Sequence, residues 1–97
     1  MNGSNREIID TLWHTLEDRK AKPSRESYTS ALLAAGEDEI VKKVGEEAVE
    51  VILAAKSQGG QRLVEESADL IYHLLVLLLA RELSWDDVLD ELARRHK

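Results

Sequence analysis

Two stretches of about twenty residues each, Glu37–Ser57 and Gln61–Arg81, carry apolar side chains at intervals of three and four, parted by little more than Gly59-Gly60. That period is helical rather than strand-like, and two long helices joined by so short a turn are expected to pack antiparallel. The remaining segments follow the same rule. A first helix is expected from about Arg6 to Arg19, with Ile8, Ile9, Leu12, Trp13 and Leu16 as its apolar stripe. The basic stretch RKAKPSRES at 19–27 holds the single proline and reads as a connection. Ser24 or Ser27 can then cap a short helix that runs through Ala35 and stops at Gly36. Ser84-Trp85-Asp86-Asp87 is a capping box with Asp in place of the usual Glu, opening a last helix that finishes in the basic run ARRHK. The expectation is an all-α fold, an antiparallel bundle of about five helices in one domain over 1–97.

A chain of 97 residues leaves roughly a third of its unfolded surface exposed after folding. The second half of the fourth helix is apolar nearly all round, so burial between subunits and completion by dimerisation are expected. No cysteine is present, which removes disulfides, thiolate metal sites and thiol nucleophiles. Nineteen acids against thirteen Lys and Arg give a formal charge of −6, and phosphate contacts along a duplex need clustered base, so nucleic acid is not an expected partner. A small polyanion can still bind where metal ions or local Lys and Arg reverse the field. MNGSNREIID lacks the apolar core and cleavage site of a secretory leader, and LLVLLLA at 74–80 is far short of the ~20 residues that span a bilayer. A cytoplasmic protein without membrane contact is the resulting expectation.

The third helix contains GEEAVE, in which Glu46, Glu47 and Glu50 sit within little more than one turn despite their mutual repulsion. With Lys43 and Ala54 they share one arc, bordered by Ile40, Val44, Ala48, Val51 and Ala55 on one side and by Val49 and Leu53 on the other. An acidic cluster alone is ordinarily a solvated face. Here the fourth helix carries a second stripe, Arg62, Glu66, Asp69 and His73, at i, i+4, i+7 and i+11. An antiparallel hairpin would set Glu47 and Glu50 opposite Glu66 and Asp69. Converging carboxylates are costly to bury unless a cation compensates them, and all-oxygen ligands suit Mg²⁺, or Mn²⁺ as a substitute. A ferritin-like di-iron centre would need Glu-x-x-His on two helices, which is absent.

KVGEEAVEVILAAK at 43–56, EESADLIYHLLVLL at 65–78 and SYTSALLAAGEDEIVKKVG at 27–45 closely resemble the phosphoribosyl-ATP pyrophosphatases of histidine biosynthesis. More broadly, E-E-x-x-E followed after fifteen residues by E-x-x-D resembles the MazG-type all-α NTP pyrophosphatases. The resemblance implies Mg²⁺-dependent hydrolysis of phosphoribosyl-ATP to phosphoribosyl-AMP and pyrophosphate by a dimeric helical bundle. It also implies that Glu47, Glu50, Glu66 and Asp69 are the catalytic metal-binding carboxylates, with Glu46 additional. Lys43 shares their arc and can meet a phosphate. Arg19, Lys20, Ser27, Tyr28 and Thr29 are further candidates for substrate contact, and His73 and Arg62 are candidates to support the carboxylates from behind. The resemblance is to the stand-alone form, without a cyclohydrolase segment. A MazG-like enzyme acting on ordinary or damaged nucleotides, and a purely structural helical oligomer, are the alternative readings.

Overall fold

The computed structural model describes residues 3–96; Met1 and Asn2, and the Lys97 that ends the basic run, lie outside the described residues. A 3-10 turn, Gly3–Glu7, leads into five helices: α1 (Ile8–Ala21), α2 (Tyr28–Ala35), α3 (Glu37–Ser57), α4 (Gly59–Ala80) and α5 (Trp85–Arg95). No strand occurs among the described residues, in agreement with the all-α expectation.

The α3–α4 hairpin is the most extensive contact in the fold, and α1 and α2 pack against it. Arg81 at the end of α4 lies 3.2 Å from Glu37 at the start of α3, as antiparallel packing requires. Leu16, Leu32, Ile40, Leu75, Val76 and Leu79 form the buried core, with Ile9, Leu12, Trp13, Tyr72 and Trp85 packed around it. Along α1, Leu16 sits at the centre of the apolar stripe and is 1% exposed, whereas Ile8 lies at its edge in the first turn and is 59% exposed.

The helix ends are set by local chemistry. Of the two candidate caps for α2, Ser27 takes the role: its Oγ accepts from the Ser30 amide at 3.1 Å, while Ser30 Oγ accepts from the Ser24 amide at 3.0 Å. At the start of α5, Ser84 Oγ accepts from the Asp87 amide and the Asp87 carboxylate accepts from the Ser84 amide, completing the capping box. The break between α3 and α4 is tighter than Gly59-Gly60 implies. Gln58 alone separates the helices, Gly59 makes the reversal at φ +89°, and Gly60 is already helical. The stop after α4 carries no glycine. Leu83 donates to the Leu78 carbonyl at 2.9 Å and Glu82 to that of Leu79 at 3.1 Å, a Schellman arrangement with Glu82 at φ 60°.

The two neighbouring glycines are expected to respond oppositely to alanine. Gly59→Ala should cost roughly 1–2 kcal/mol, because a Cβ is strained at positive φ. Gly60→Ala, whose Cβ meets nothing within 4 Å, should stabilise by about 0.4–1 kcal/mol. Urea unfolding midpoints measure both.

Candidate active site

Ile40, Glu47 and Ala54 recur every seventh residue and therefore lie on one line along α3. Ile40 is 1% and Ala54 0% exposed, so the line faces inward and Glu47 sits between two core positions. This is why Ala54, on the acidic arc, is buried while Ala55, on the apolar flank, is exposed. On α4, Glu66 and His73 have the same spacing and each is 6% exposed. The helix contact thus carries carboxylates rather than avoiding them.

One carboxylate oxygen from each of Glu47, Glu66 and Asp69 lies within 4.8 Å of the other two. Around an octahedral cation with oxygens at about 2.1 Å, neighbouring ligands lie about 3.0 Å apart and opposite ones about 4.2 Å. Small side-chain rotations would close these three onto one ion, and an oxygen-only set suits a hard divalent cation. Glu50 is half-buried and stands outside this group of three, but its charge acts on both Glu66 and Arg62. Burial pushes the Glu66 carboxyl above its ordinary range; Arg62 opposes the shift, and Asp69, Glu50 and Glu47 add to it.

Cationic side chains flank the acids. Arg62 is paired with Glu66 and with Glu65, so its side chain offsets the acids of its own helix. The Lys43 ammonium lies 3.5 Å from Glu46 and 3.7 Å from Glu47. Desolvation lowers the Lys43 pKa, yet Tyr28, Glu46 and Glu47 outweigh it and the net shift is upward, so the ammonium keeps its proton. Glu46 is about half exposed at the rim.

His73 does not reach the Asp69 carboxylate, the contact its spacing invited. Its Nδ1 donates to the Asp69 backbone carbonyl at 2.8 Å, and its Nε2 is 2.9 Å from the Tyr28 hydroxyl. The physical reason is the helix itself: residue i+4 stacks over the carbonyl of residue i, while an exposed carboxylate points away.

The remaining candidates from 19–29 divide. Tyr28 comes to the site, and Lys43, Glu47 and Glu46 all act electrostatically on its phenol, whose pKa is raised, first by burial. Thr29, 7% exposed, is hydrogen-bonded to Tyr72. Ser27 is occupied as the α2 cap. Lys20 donates to the Leu79 carbonyl at 3.0 Å and so closes the end of α4. Arg19 pairs with Asp18 at 3.3 Å and, with Lys20, Pro23, Ser30, Leu33 and Glu37, lines a cavity of about 380 Å³ that the acidic group does not line. Tyr72 was not foreseen. Its only signal is the Tyr72-His73 pair inside an otherwise apolar run.

Residues 8–96 match the protein family described as phosphoribosyl-ATP pyrophosphohydrolase. The chain is 52% identical over 92 residues to a phosphoribosyl-ATP pyrophosphatase of Pelotomaculum thermopropionicum, covering 95% of this chain and 94% of the relative. It is 45% identical over 97 residues to a protein of the same name from Clostridium botulinum, covering 100% of this chain and 86% of that one. A histidine biosynthesis bifunctional protein of Caldanaerobacter subterraneus is 45% identical over 91 residues, 94% of this chain but 44% of the relative.

The raised Glu66 pKa has a definite sign in stability. The folded state holds the Glu66 proton more tightly than the unfolded state does. Its contribution is therefore fully present below the unfolded value near 4.5 and is lost as pH rises through the folded one. In EDTA, the stability of the wild type relative to Glu66→Gln is expected to fall across that window as pH rises. Paired urea titrations from pH 4 to pH 8 measure it, and a constant difference would contradict the assignment.

Proposed function

Because the chain belongs to the phosphoribosyl-ATP pyrophosphohydrolase family, we propose that it hydrolyses phosphoribosyl-ATP to phosphoribosyl-AMP and pyrophosphate, as a step of histidine biosynthesis. The observation that carries this reading is the convergence of Glu47, Glu66 and Asp69 from two facing helices, an oxygen-only site within a chain that matches the family over almost its whole length. The catalytic unit is one domain over 1–97. Glu47, Glu50, Glu66 and Asp69 would hold Mg²⁺, with Mn²⁺ as a substitute and Glu46 at the margin. When bound, the cation neutralises triphosphate oxygens that the acidic site alone would repel.

The chain's own residues supply the rest. Pyrophosphate is a good leaving group, so hydrolysis needs a positioned water and charge compensation rather than a covalent nucleophile. Glu47, desolvated between Ile40 and Ala54, is our assignment for the carboxylate that orients the water and accepts its proton. Lys43 meets a phosphate oxygen once substrate displaces it from Glu46 and Glu47. Arg62 and His73 act behind the carboxylates, Arg62 by offsetting the Glu66 charge and His73 by holding the α4 backbone at Asp69. Lys20, bonded to the Leu79 carbonyl, stands toward the core end of α4 and is not a first choice for the reacting phosphates; Arg19, which with Ser27, Thr29 and Tyr72 lines a cavity on the α2 side, remains a candidate for substrate contact.

We also propose a homodimer. Val41, Val49 and Ile52 on α3 are 49%, 52% and 59% exposed, and Val64 on α4 is 65% exposed, an apolar surface that a second copy would cover. No helix among the described residues is long and apolar enough to cross a membrane, and a cytoplasmic location without nucleic-acid partners fits the acidic composition.

Purified protein is expected to release pyrophosphate from phosphoribosyl-ATP with Mg²⁺ and not with EDTA. Glu50→Ala and Asp69→Ala should each lower kcat/KM by at least about 100-fold while leaving far-UV circular dichroism unchanged. Release mainly from a dNTP panel would instead favour a MazG-like enzyme, and no release from any nucleotide would favour a structural oligomer. Normal turnover by either variant would remove that residue from the site.

A further inference from the structure

Tyr28 combines properties that rarely occur together. The residue is 52% exposed, yet its hydroxyl is tied to a histidine that is only 6% exposed. The ring is held as well: its centroid is 6.1 Å from that of Tyr72 and 5.8 Å from that of His73, which it meets edge-on at 79°. The next residue, Thr29, is bonded to the Tyr72 hydroxyl. A half-exposed phenol is thus fixed in one orientation beside Lys43 and Glu47.

The direction of its hydrogen bond follows from its partners. A backbone carbonyl only accepts, so the His73 proton in contact with Asp69 is on Nδ1. Because that contact places the ring proton on Nδ1, Nε2 accepts from the Tyr28 hydroxyl. With its only proton used in this way, the Tyr28 oxygen has nothing left to donate. Ionised phosphate and carboxylate oxygens are acceptors too, so neither can bond to it. Whatever binds there must bring a donor. The Lys43 ammonium is directed to Glu46 and Glu47, and the donors nearest the triphosphate of a ribonucleotide are the hydroxyls of the ribose that bears it.

We propose that the Tyr28 oxygen is a specificity-determining acceptor for a 2′- or 3′-hydroxyl of the triphosphate-bearing ribose, and that His73 is the positioning residue that holds it in this role. The inference rests on the pyrophosphatase reading above and adds to it a means of telling ribose from deoxyribose. It assigns Tyr28 to sugar rather than phosphate.

The test compares kcat and KM for phosphoribosyl-ATP and for its analogues lacking the 2′- or the 3′-hydroxyl of the adenosine ribose. The proteins are wild type, Tyr28→Phe, His73→Leu and His73→Gln, each checked for an intact thermal transition. For wild type, loss of one of the two hydroxyls is expected to lower kcat/KM about three- to tenfold, mainly through KM. Tyr28→Phe and His73→Leu should lose that discrimination, while His73→Gln, whose amide oxygen can accept from the phenol, should retain part of it. Wild type indifferent to both hydroxyls, or Tyr28→Phe with undiminished discrimination, overturns the proposal. Absence of turnover of phosphoribosyl-ATP itself by wild type would refute the pyrophosphatase reading, and this inference with it.

Discussion

Everything about this fold is arranged around a helix contact that contains acids. Glu47 and Glu66 occupy positions on α3 and α4 where a bundle ordinarily buries apolar side chains, and Asp69 joins them. Bringing like charges together out of water is costly, and the cost grows as the local dielectric falls. Two features of the apo chain moderate it. Arg62 pairs with Glu66 from the exposed side, and Lys43 lies between Glu46 and Glu47. Neither removes the repulsion among Glu47, Glu50, Glu66 and Asp69 that still acts on Glu66. That residual repulsion is what a divalent cation held by Glu47, Glu66 and Asp69 would relieve.

Such a site needs a rigid frame, and the apolar core provides it at the opposite end of the hairpin. Leu75, Val76 and Leu79 on α4 pack with Ile40 on α3, Leu32 on α2 and Leu16 on α1. Apolar packing therefore dominates where α3 begins and α4 ends, and the acids lie nearer the reversal at Gly59. The polar contacts follow the same division. Lys20 and Arg81 tie the core end together, while the Thr29–Tyr72 and Tyr28–His73–Asp69 bonds fasten α2 beside the acids. One short helix thus bridges the apolar core and the acidic group.

Much of the fold was legible in the sequence because its signals are local. The α3 boundaries follow from Gly36 and the Gly59-Gly60 pair, α2 from a serine cap at 24 or 27 that the structure resolves to Ser27, and α5 from the Ser84–Asp87 box. Each depends on residues within one turn of one another. The end of α4, expected near Arg81, falls at Ala80, but the device that turns the chain there, Glu82 in a left-handed conformation, has no signature because Glu has no preference for it. Of the site, the pairing of GEEAVE with the Glu66–Asp69 stripe was legible, since helical period and an antiparallel turn together place the two stripes face to face.

Sequence by itself thus determined that this chain makes five helices, that α3 and α4 form a hairpin, and that their acids meet. These properties arise from periodicity and capping, which act between near neighbours. Tertiary structure alone decided that Glu47, Glu66 and Asp69 form the closest set with Glu50 beside them, that Lys20 closes α4 rather than facing the acids, and that His73 holds a carbonyl and a phenol. Those outcomes depend on how far each helix is rotated about its axis and shifted along its neighbour. A rotation of some tens of degrees is invisible to a pattern of residue types, yet it moves a side-chain tip by several ångströms, enough to exchange one partner for another.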